Sequence, residues 1–238
     1  MGVKYFSNEK FFESWTPVMA YVLGYIYADG SLEDASYLRG KYLRVSSTDR
    51  ELIELTKKSV NSQHNITLSN IDDPRRKVKY LLRIGSHKIY NDLIKLGVYP
   101  NKSLTMKFPK VPKRFSNHFI RGYFDGDGHV GIEKKGRAFK KMHLIFVSGS
   151  SDFLVTLADE LNTKLNLKIN KVYNGWRAYR LCYSTNDSVK IFKYIYKDAN
   201  GIFLDRKFTV FKRFFIEYNK WADREVRKII DNYGAMVK

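Results

Sequence analysis

The chain states one phrase twice. YVLGYIYADGSL at 21–32 and FIRGYFDGDGHV at 119–130 correspond position by position, which places Asp29 and Asp127 98 residues apart. The correspondence continues in order: YLRVSSTDRELIEL (42–55) with LIFVSGSSDFLVTL (144–157), KYLLRIGSHKIYNDL (79–93) with AYRLCYSTNDSVKIF (178–192), and PNKSLTMKF (100–108) with LDRKFTVFKRF (204–214). Four echoes in one order constrain the chain to fold as two copies of one unit, because repeated sequence builds repeated supersecondary structure. The small drift in offset means loops of different length, not a different order of elements.

Each copy reads as the same series of elements. Thr16-Pro17 is an N-cap followed by Pro at the first helical position, and the helix runs to about Ala28 with Gly30 as its stop. Two strands follow, the second ending in YLRVSS, where Leu43 and Val45 alternate with Arg44 and Ser46. Thr48-x-x-Glu51 reads as a capping box for a helix carrying Leu52, Leu55 and Val60. The strands ITLSN and KYLLRI are joined by a charged turn, Asp72 to Lys77, and Ser86 caps a helix that stops at Gly97. Asn174-Gly175 in the second copy predicts a two-residue hairpin turn. The expected fold class is α+β: two pseudo-symmetric α-β-β-α-β-β-α units, spanning 1–97 and 119–221, joined by 98–118 and followed by a tail helix within 222–238.

Helices on one face of each antiparallel sheet leave the other face open. Alternation puts Tyr80, Leu82, Ile84, Tyr179, Leu181 and Tyr183 toward the helices. Arg44, Ser46, Leu81, Arg83, Arg180 and Cys182 then share the open face. Such a half-polar basic face suits either solvent or the major groove of a duplex. Charge favours a polyanion: 43 Lys+Arg against 24 Asp+Glu leave +19, and nucleic acid is the leading partner for that excess. The single cysteine excludes a disulfide framework or a cysteine metal cluster within the chain. No stretch has the length of a signal peptide or membrane span, so a soluble intracellular protein is expected.

The repeated phrase carries small residues four apart, Gly24 and Ala28 in one copy, Gly122 and Gly126 in the other. On helices these make flat stripes along which two backbones can approach, and packing along them would bring Asp29 and Asp127 together. A carboxylate at a helix C-terminus meets the negative end of the macrodipole, and two close carboxylates repel. A divalent cation offsets both costs, with the helix-end carbonyls of Ala28 and Gly126 as further oxygen ligands. Oxygen-only ligation favours Mg²⁺ over Zn²⁺ and points to metal-assisted phosphodiester hydrolysis. The competing reading is that Asp-Gly merely ends each helix.

The two segments Val22–Gly30 and Ile120–Gly128 resemble the paired motifs of the LAGLIDADG homing endonucleases in their single-chain form, and the likeness covers about residues 16–218. The resemblance implies motif helices packed at the centre of the molecule and saddle-shaped sheets laid in the major groove of a long asymmetric duplex. It implies both strands cut across the minor groove in an intron-homing role, by a monomer. It assigns metal binding to Asp29 and Asp127 with the Ala28 and Gly126 carbonyls, and places basic residues, Lys102 and Lys207, at the scissile phosphates. A polar residue at the end of the second strand, near Ser47 and Gly149, would help orient water. The earlier acidic position of the motif is Asp125 in one copy and Tyr27 in the other. DNA contacts would come from Arg39, Lys41, Arg44, Ser46, Arg75, Arg76 and Arg83 in the first copy. In the second they would come from Lys134, Lys135, Arg137, Lys140, Asn170, Arg177 and Arg180. The cofactor implied is Mg²⁺, with Mn²⁺ able to substitute and Ca²⁺ supporting binding without cleavage. The expected setting is a prokaryotic or phage cytoplasm, with an organelle matrix as the alternative. A non-cleaving binder of the same fold, such as an intron maturase or a regulator, is the rival. An intein-embedded nuclease is not expected, since the ends Met-Gly and Val-Lys lack splicing residues.

Overall fold

The computed structural model describes residues 5–35, 37, 40–69, 75, 77–135, 139–168 and 171–235, with the side chains of 134, 135, 139 and 140 outside that description. The chain divides into two compact units, Met1–Lys102 with Pro109–Phe119, and Ser103–Phe108 with Ile120–Lys238. The segment between the two repeats is thus shared by both.

The first unit runs α1 (Pro17–Asp29), β1 (Gly30–Ala35), β2 (Gly40–Ser47), α2 (Arg50–Ser59), β3 (Ile66–Ser69), β4 (Lys79–Gly85) and α3 (His87–Lys95). Its sheet is antiparallel in the order β1-β2-β4-β3. Thr16 caps α1 by accepting the Met19 N–H at 3.0 Å, with Pro17 at the first turn as expected. The helix is buried along Met19–Tyr27, as a helix apolar on every side must be. Helices α2 and α3 cover the sheet, burying Leu43, Val45, Leu82 and Ile84 beneath them.

The second unit repeats that order: α4 (Ser116–Asp127), β5 (Gly128–Lys135), β6 (Phe139–Ser148), α5 (Ser151–Leu165), β7 (Val172–Asn174), β8 (Tyr179–Tyr183) and α6 (Thr185–Tyr196). Its sheet has the matching order β5-β6-β8-β7. Two further helices follow, α7 (Asp205–Glu217) and α8 (Arg224–Gly234). Helix α8 is the expected tail helix. Phe192, Tyr196, Phe203, Phe208, Phe211 and Phe215 interlock by ring contacts where α6 and α7 meet, and Tyr233 of α8 joins them.

Several local expectations are corrected. The Thr48 capping box does not form: α2 has Asp49 at its N-cap without a side-chain capping bond, and Ser47 Oγ instead accepts the Asp49 N–H at 3.1 Å. Leu55 is only half-buried, while Ile53 and Thr56 supply the inward face. Asn174-Gly175 does not make a two-residue turn. Asn174 pairs with Tyr179, the loop spans 175–178, and Arg177 takes the left-handed conformation (φ 71°) while the Gly175 N–H bonds Ala178 O at 2.9 Å. Helix α7 was not anticipated, although Phe208, Phe211, Phe214 and Phe215 stand at helical spacing and are all buried. Ser86 does cap α3, and Gly97 (φ 87°) ends it, with the Val98 N–H on Leu93 O and its own N–H on Ile94 O. The charged turn at 70–74 and 76 lies outside the described residues.

Candidate functional site

Both motif helices turn directly into a strand at Asp-Gly. Gly30 is extended (φ −92°, ψ 152°), so it is not a left-handed stop. Glycine is needed there for space: a Cβ would stand 2.7 Å from Ile26 O and from Ile26 Cγ2. The same holds at Gly128, where a Cβ would meet Phe124 Cδ2 at 2.2 Å and Phe124 O at 2.4 Å. Each strand therefore departs without a spacer, and Asp29 and Asp127 stand half-buried as the last helical residues of their units.

A buried lysine sits on each joint. In the first unit Lys102, 4% exposed, starts a short helical turn (Lys102–Leu104) and donates through Nζ to Gly30 O at 2.7 Å. In the second, Lys207, 3% exposed, lies in the first turn of α7. Its Nζ contacts Phe124 O, Asp125 O (2.9 Å), Gly126 O (3.4 Å) and Gly128 O (2.6 Å). An ammonium has three hydrogens, so these carbonyls take up its donor capacity. A cation there also answers the negative helix end. Each lysine is thus occupied with main-chain carbonyls at the end of a motif helix.

The motif helices are tied to the segments that carry these lysines. The Tyr27 hydroxyl donates to Leu96 O at 2.8 Å, just past α3. Burial, with Tyr99 nearby, raises its pKa and keeps it a donor. In the second unit the matching residue Asp125 is fully buried, and its Oδ2 accepts the Leu204 N–H at 2.9 Å at the start of α7. Arg121, 1% exposed, donates to Ile202 O (2.8 Å) and Ile195 O (2.6 Å). Burial, then the Asp125 carboxylate, pushes the Tyr196 pKa well up, with Arg121 opposing.

Ser47 ends β2 and is 8% exposed, with its hydroxyl engaged by the Asp49 N–H. Its counterpart is Ser148, not Gly149: Ser148 ends β6, and its Oγ accepts the Ser150 N–H at 3.0 Å. Gly149 instead makes room for the chain at Ser103, whose carbonyl oxygen would lie 2.6 Å from a Cβ there.

The open sheet faces carry the expected basic residues in part. Arg44 pairs across strands with Arg83 and Ser46 with Leu81, while Arg180 and Cys182 share the corresponding face of the second sheet opposite Val147 and Ile145. Burial raises the Cys182 pKa, with Arg180 opposing. Arg75, Arg177 and Arg180 are exposed, and the Arg177 guanidinium lies 4.1 Å from the exposed Trp176 ring. Lys41 faces the other way. It shares the parity of Leu43 and Val45, lies over the Tyr90 ring of α3 at 4.7 Å and pairs with Asp34 at 3.7 Å. Arg39, Arg76, Arg137 and Asn170 lie outside the described residues, as do the side chains of Lys134, Lys135 and Lys140.

The open faces also hold residues not singled out from the sequence. Glu33 and Tyr42 share the face of Arg44, and the His129 and His143 rings lie 5.6 Å apart, tilted by 31°, beside Gly131. Burial, then His143, Lys207 and Arg206, lower the His129 pKa. Tyr42 and His129 lie inside the repeated segments and Glu33 and His143 one residue beyond them, so strand parity places all four.

Residues 114–196 match the LAGLIDADG-like domain family. That match runs from the start of α4 to the end of α6 in the second unit. Among curated proteins, the chain is 23% identical over 197 residues to the uncharacterized protein MJ0398 of Methanocaldococcus jannaschii, covering 79% of this chain and 69% of that one. It is 26% identical over 211 residues to the "Probable translation initiation factor IF-2" of the same organism, covering 82% of this chain but only 17% of that protein. Among solved structures, the homing endonuclease I-WcaI bound to its DNA recognition sequence matches with a TM-score of 0.57 at 13% identity, over 84% of this chain and 90% of that one. The K262A mutant of I-SmaMI matches at 0.57 and 12% identity, over 94% and 100%. I-DmoI in complex with DNA and Ca matches at 0.53 and 19% identity, over 76% and 90%. The family likeness read from the two LAGLIDADG motifs is borne out, as is the fold: α and β elements in two antiparallel four-stranded units. Among the described residues no helix is long and apolar enough to cross a membrane.

Proposed function

We propose that the chain is a site-specific DNA endonuclease that binds a long asymmetric duplex and hydrolyses both strands across the minor groove. The observation that carries this reading is the duplicated joint: an aspartate ending each motif helix, no spacer before the strand, and a buried lysine on the adjoining carbonyls. A helix stop alone needs neither the carboxylate nor the lysine. The solved structures of like fold include I-WcaI with its DNA recognition sequence and I-DmoI with DNA and Ca, which supports a nucleic-acid partner for a chain of charge +19.

Each unit offers one carboxylate and one main-chain carbonyl, Asp29 with Ala28 and Asp127 with Gly126. This all-oxygen donor set fits a hard divalent cation such as Mg²⁺. Such an ion supplies an activated water and charge stabilisation at the leaving oxygen. Lys102 and Lys207 act as positioning residues: by neutralising the helix ends they let Asp29 and Asp127 remain ionised beside the negative end of a dipole. Ser47 is positioned to hold the start of α2, and any role in ordering water is shared with Ser148.

The test is cleavage of a randomised duplex library in Mg²⁺, with Ca²⁺ as the binding-only condition. Asp29→Asn and Asp127→Asn should each lower cutting by about a thousandfold or more, on the scale of losing one strong electrostatic contribution to the transition state. Binding in Ca²⁺ should change far less. A library bound but never cut favours the non-cleaving rival, and a wild-type rate in either variant removes the metal assignment.

A further inference from the structure

The open face of the first sheet carries a layered cluster that neither the fold nor the motif joints require. Its floor is glycine: a Cβ at Gly40 would stand 2.4 Å from the Tyr42 ring, and one at Gly85 would stand 3.1 Å from it. The ring occupies that space. On it lies the Arg83 guanidinium, its central carbon 3.4 Å from the ring centroid. Glu33 grips the same guanidinium from the side, accepting from Nε at 3.1 Å and from Nη2 at 2.8 Å. Arg44 stands 3.9 Å from the Glu33 carboxylate. The hydrogen bond from Arg83, ahead of the charges of Arg83 and Arg44, holds Glu33 below the usual carboxylate range despite some burial.

The cluster is exposed, at 41% for the Arg83 side chain and 36% for Glu33, so its ion pair contributes little to stability. What it supplies is orientation. A free arginine explores many rotamers, whereas this one is fixed in plane by the ring and in rotation by the carboxylate. Glu33 takes the Nε hydrogen and one on Nη2, which leaves hydrogens on the end-on edge formed by Nη1 and Nη2. That edge can give two parallel bonds to one base, and guanine is the base that presents two adjacent acceptors, O6 and N7, in the major groove. A phosphate contact is the poorer fit. The carboxylate cancels the charge a phosphate would attract, while it leaves the directional donors in place. A carboxylate on a DNA-facing surface also costs affinity, which is explicable where it sharpens discrimination.

We propose that Arg83 reads a single guanine of the target duplex, with Glu33 and Tyr42 as the residues that position it. This rests on the reading that the chain binds duplex DNA through its open sheet faces. The test is selection of bound duplexes from a randomised library in Ca²⁺ with wild type, Arg83→Ala, Arg83→Lys and Glu33→Gln. Wild type should enrich a consensus with one invariant guanine whose preference over other bases falls roughly 5- to 150-fold in both Arg83 variants, the range of one bidentate contact. Glu33→Gln, which keeps every arginine donor, should relax the same position only and should strengthen binding to unrelated duplexes. An unchanged consensus in the Arg83 variants overturns the guanine assignment while DNA recognition stands. No consensus from wild type overturns both. Since these side chains are exposed, thermal melting should match wild type, and Arg83→Lys with Glu33→Gln carries the test should the alanine variant misfold.

Discussion

The two units build the same joint with different supports. In the first, Lys102 comes from a short turn and meets Gly30 O, while Tyr27 ties α1 to the end of α3 through one hydroxyl. In the second, Lys207 comes from a full helix and meets several carbonyls, while Asp125 and Arg121 tie α4 to the segment leading into α7. Positions 27 and 125 correspond, as do 23 and 121, so a tyrosine and a leucine stand where the second unit has an aspartate and an arginine. What the copies share is the aspartate, the glycine after it and the lysine. The tie behind them can be a neutral hydrogen bond or a set of buried charged groups, provided it fixes the lysine-bearing segment against the motif helix. An ionic tie buried at 0% and 1% exposure is the more demanding, because a low-dielectric interior punishes any partner left unmatched.

That contrast predicts unequal costs. Lys207→Met should be the most damaging of these changes to stability, by roughly 3 kcal/mol or more, since it strips buried carbonyls at a helix end of their donor. Lys102→Met should cost less, roughly 1–2 kcal/mol, because Lys102 comes from a three-residue turn and not from a helix locked into an aromatic core. Urea midpoints read at constant slope give both values. Equal costs, or the reverse order, would break the claim that α7 makes the second joint the more dependent on its lysine.

A finer cut compares the ties themselves. Asp125→Ala removes the acceptor of the Leu204 N–H at a fully buried position, so about 2–3 kcal/mol should be lost. Asp125→Asn retains an acceptor and should cost less. Tyr27→Phe removes one hydroxyl from Leu96 O and should cost about 1 kcal/mol. The comparison is sharpened if cleavage falls with Asp125→Ala more than its stability loss explains, since that reports displacement of Lys207.

Much of this plan was legible because repetition and period are properties of sequence. Element order in both units, the helix caps at Thr16 and Ser86, the turn at Gly97 and the Asp-Gly joints could be read directly. What escaped depends on partners far away in the chain. Whether Thr48 caps a helix depends on where α2 starts, and it starts one residue later, with Asp49 at its N-cap. Asn174-Gly175 is a strong turn signal locally, but strand pairing closed the loop at Tyr179. Helix α7 departs from the repeat, since PNKSLTMKF, the matching segment of the first copy, holds only a short turn. Lys41 could have been placed correctly by the parity that placed Leu43. That Lys102 and Lys207 bond carbonyls follows from tertiary approach across 72 and 79 residues, which no local pattern encodes.

The smallest predicted effect tests whether the first unit's open face has its own sensitivity to pH. His64 Nε2 accepts the Gly85 N–H at 3.2 Å, and its Nδ1 lies 2.9 Å from Ser62 Oγ. Gly85 is part of the floor under Tyr42. The bond to Gly85 needs a neutral ring, and burial together with Lys57 holds the His64 pKa below its ordinary 6.5. A group whose folded pKa is lowered binds fewer protons folded than unfolded. Its contribution is therefore complete above about pH 6.5 and is lost as pH falls through the lowered folded value. Exchange protection of the Gly85 amide should accordingly decline between pH 7 and pH 5, beyond the change seen at amides elsewhere in the sheet. In His64→Gln, whose side-chain carbonyl can accept at any pH, that decline should flatten. A wild-type profile at Gly85 that follows its neighbours would mean that the imidazole does not support β4, and the first unit's face would be as indifferent to acid as its remaining hydrogen bonds.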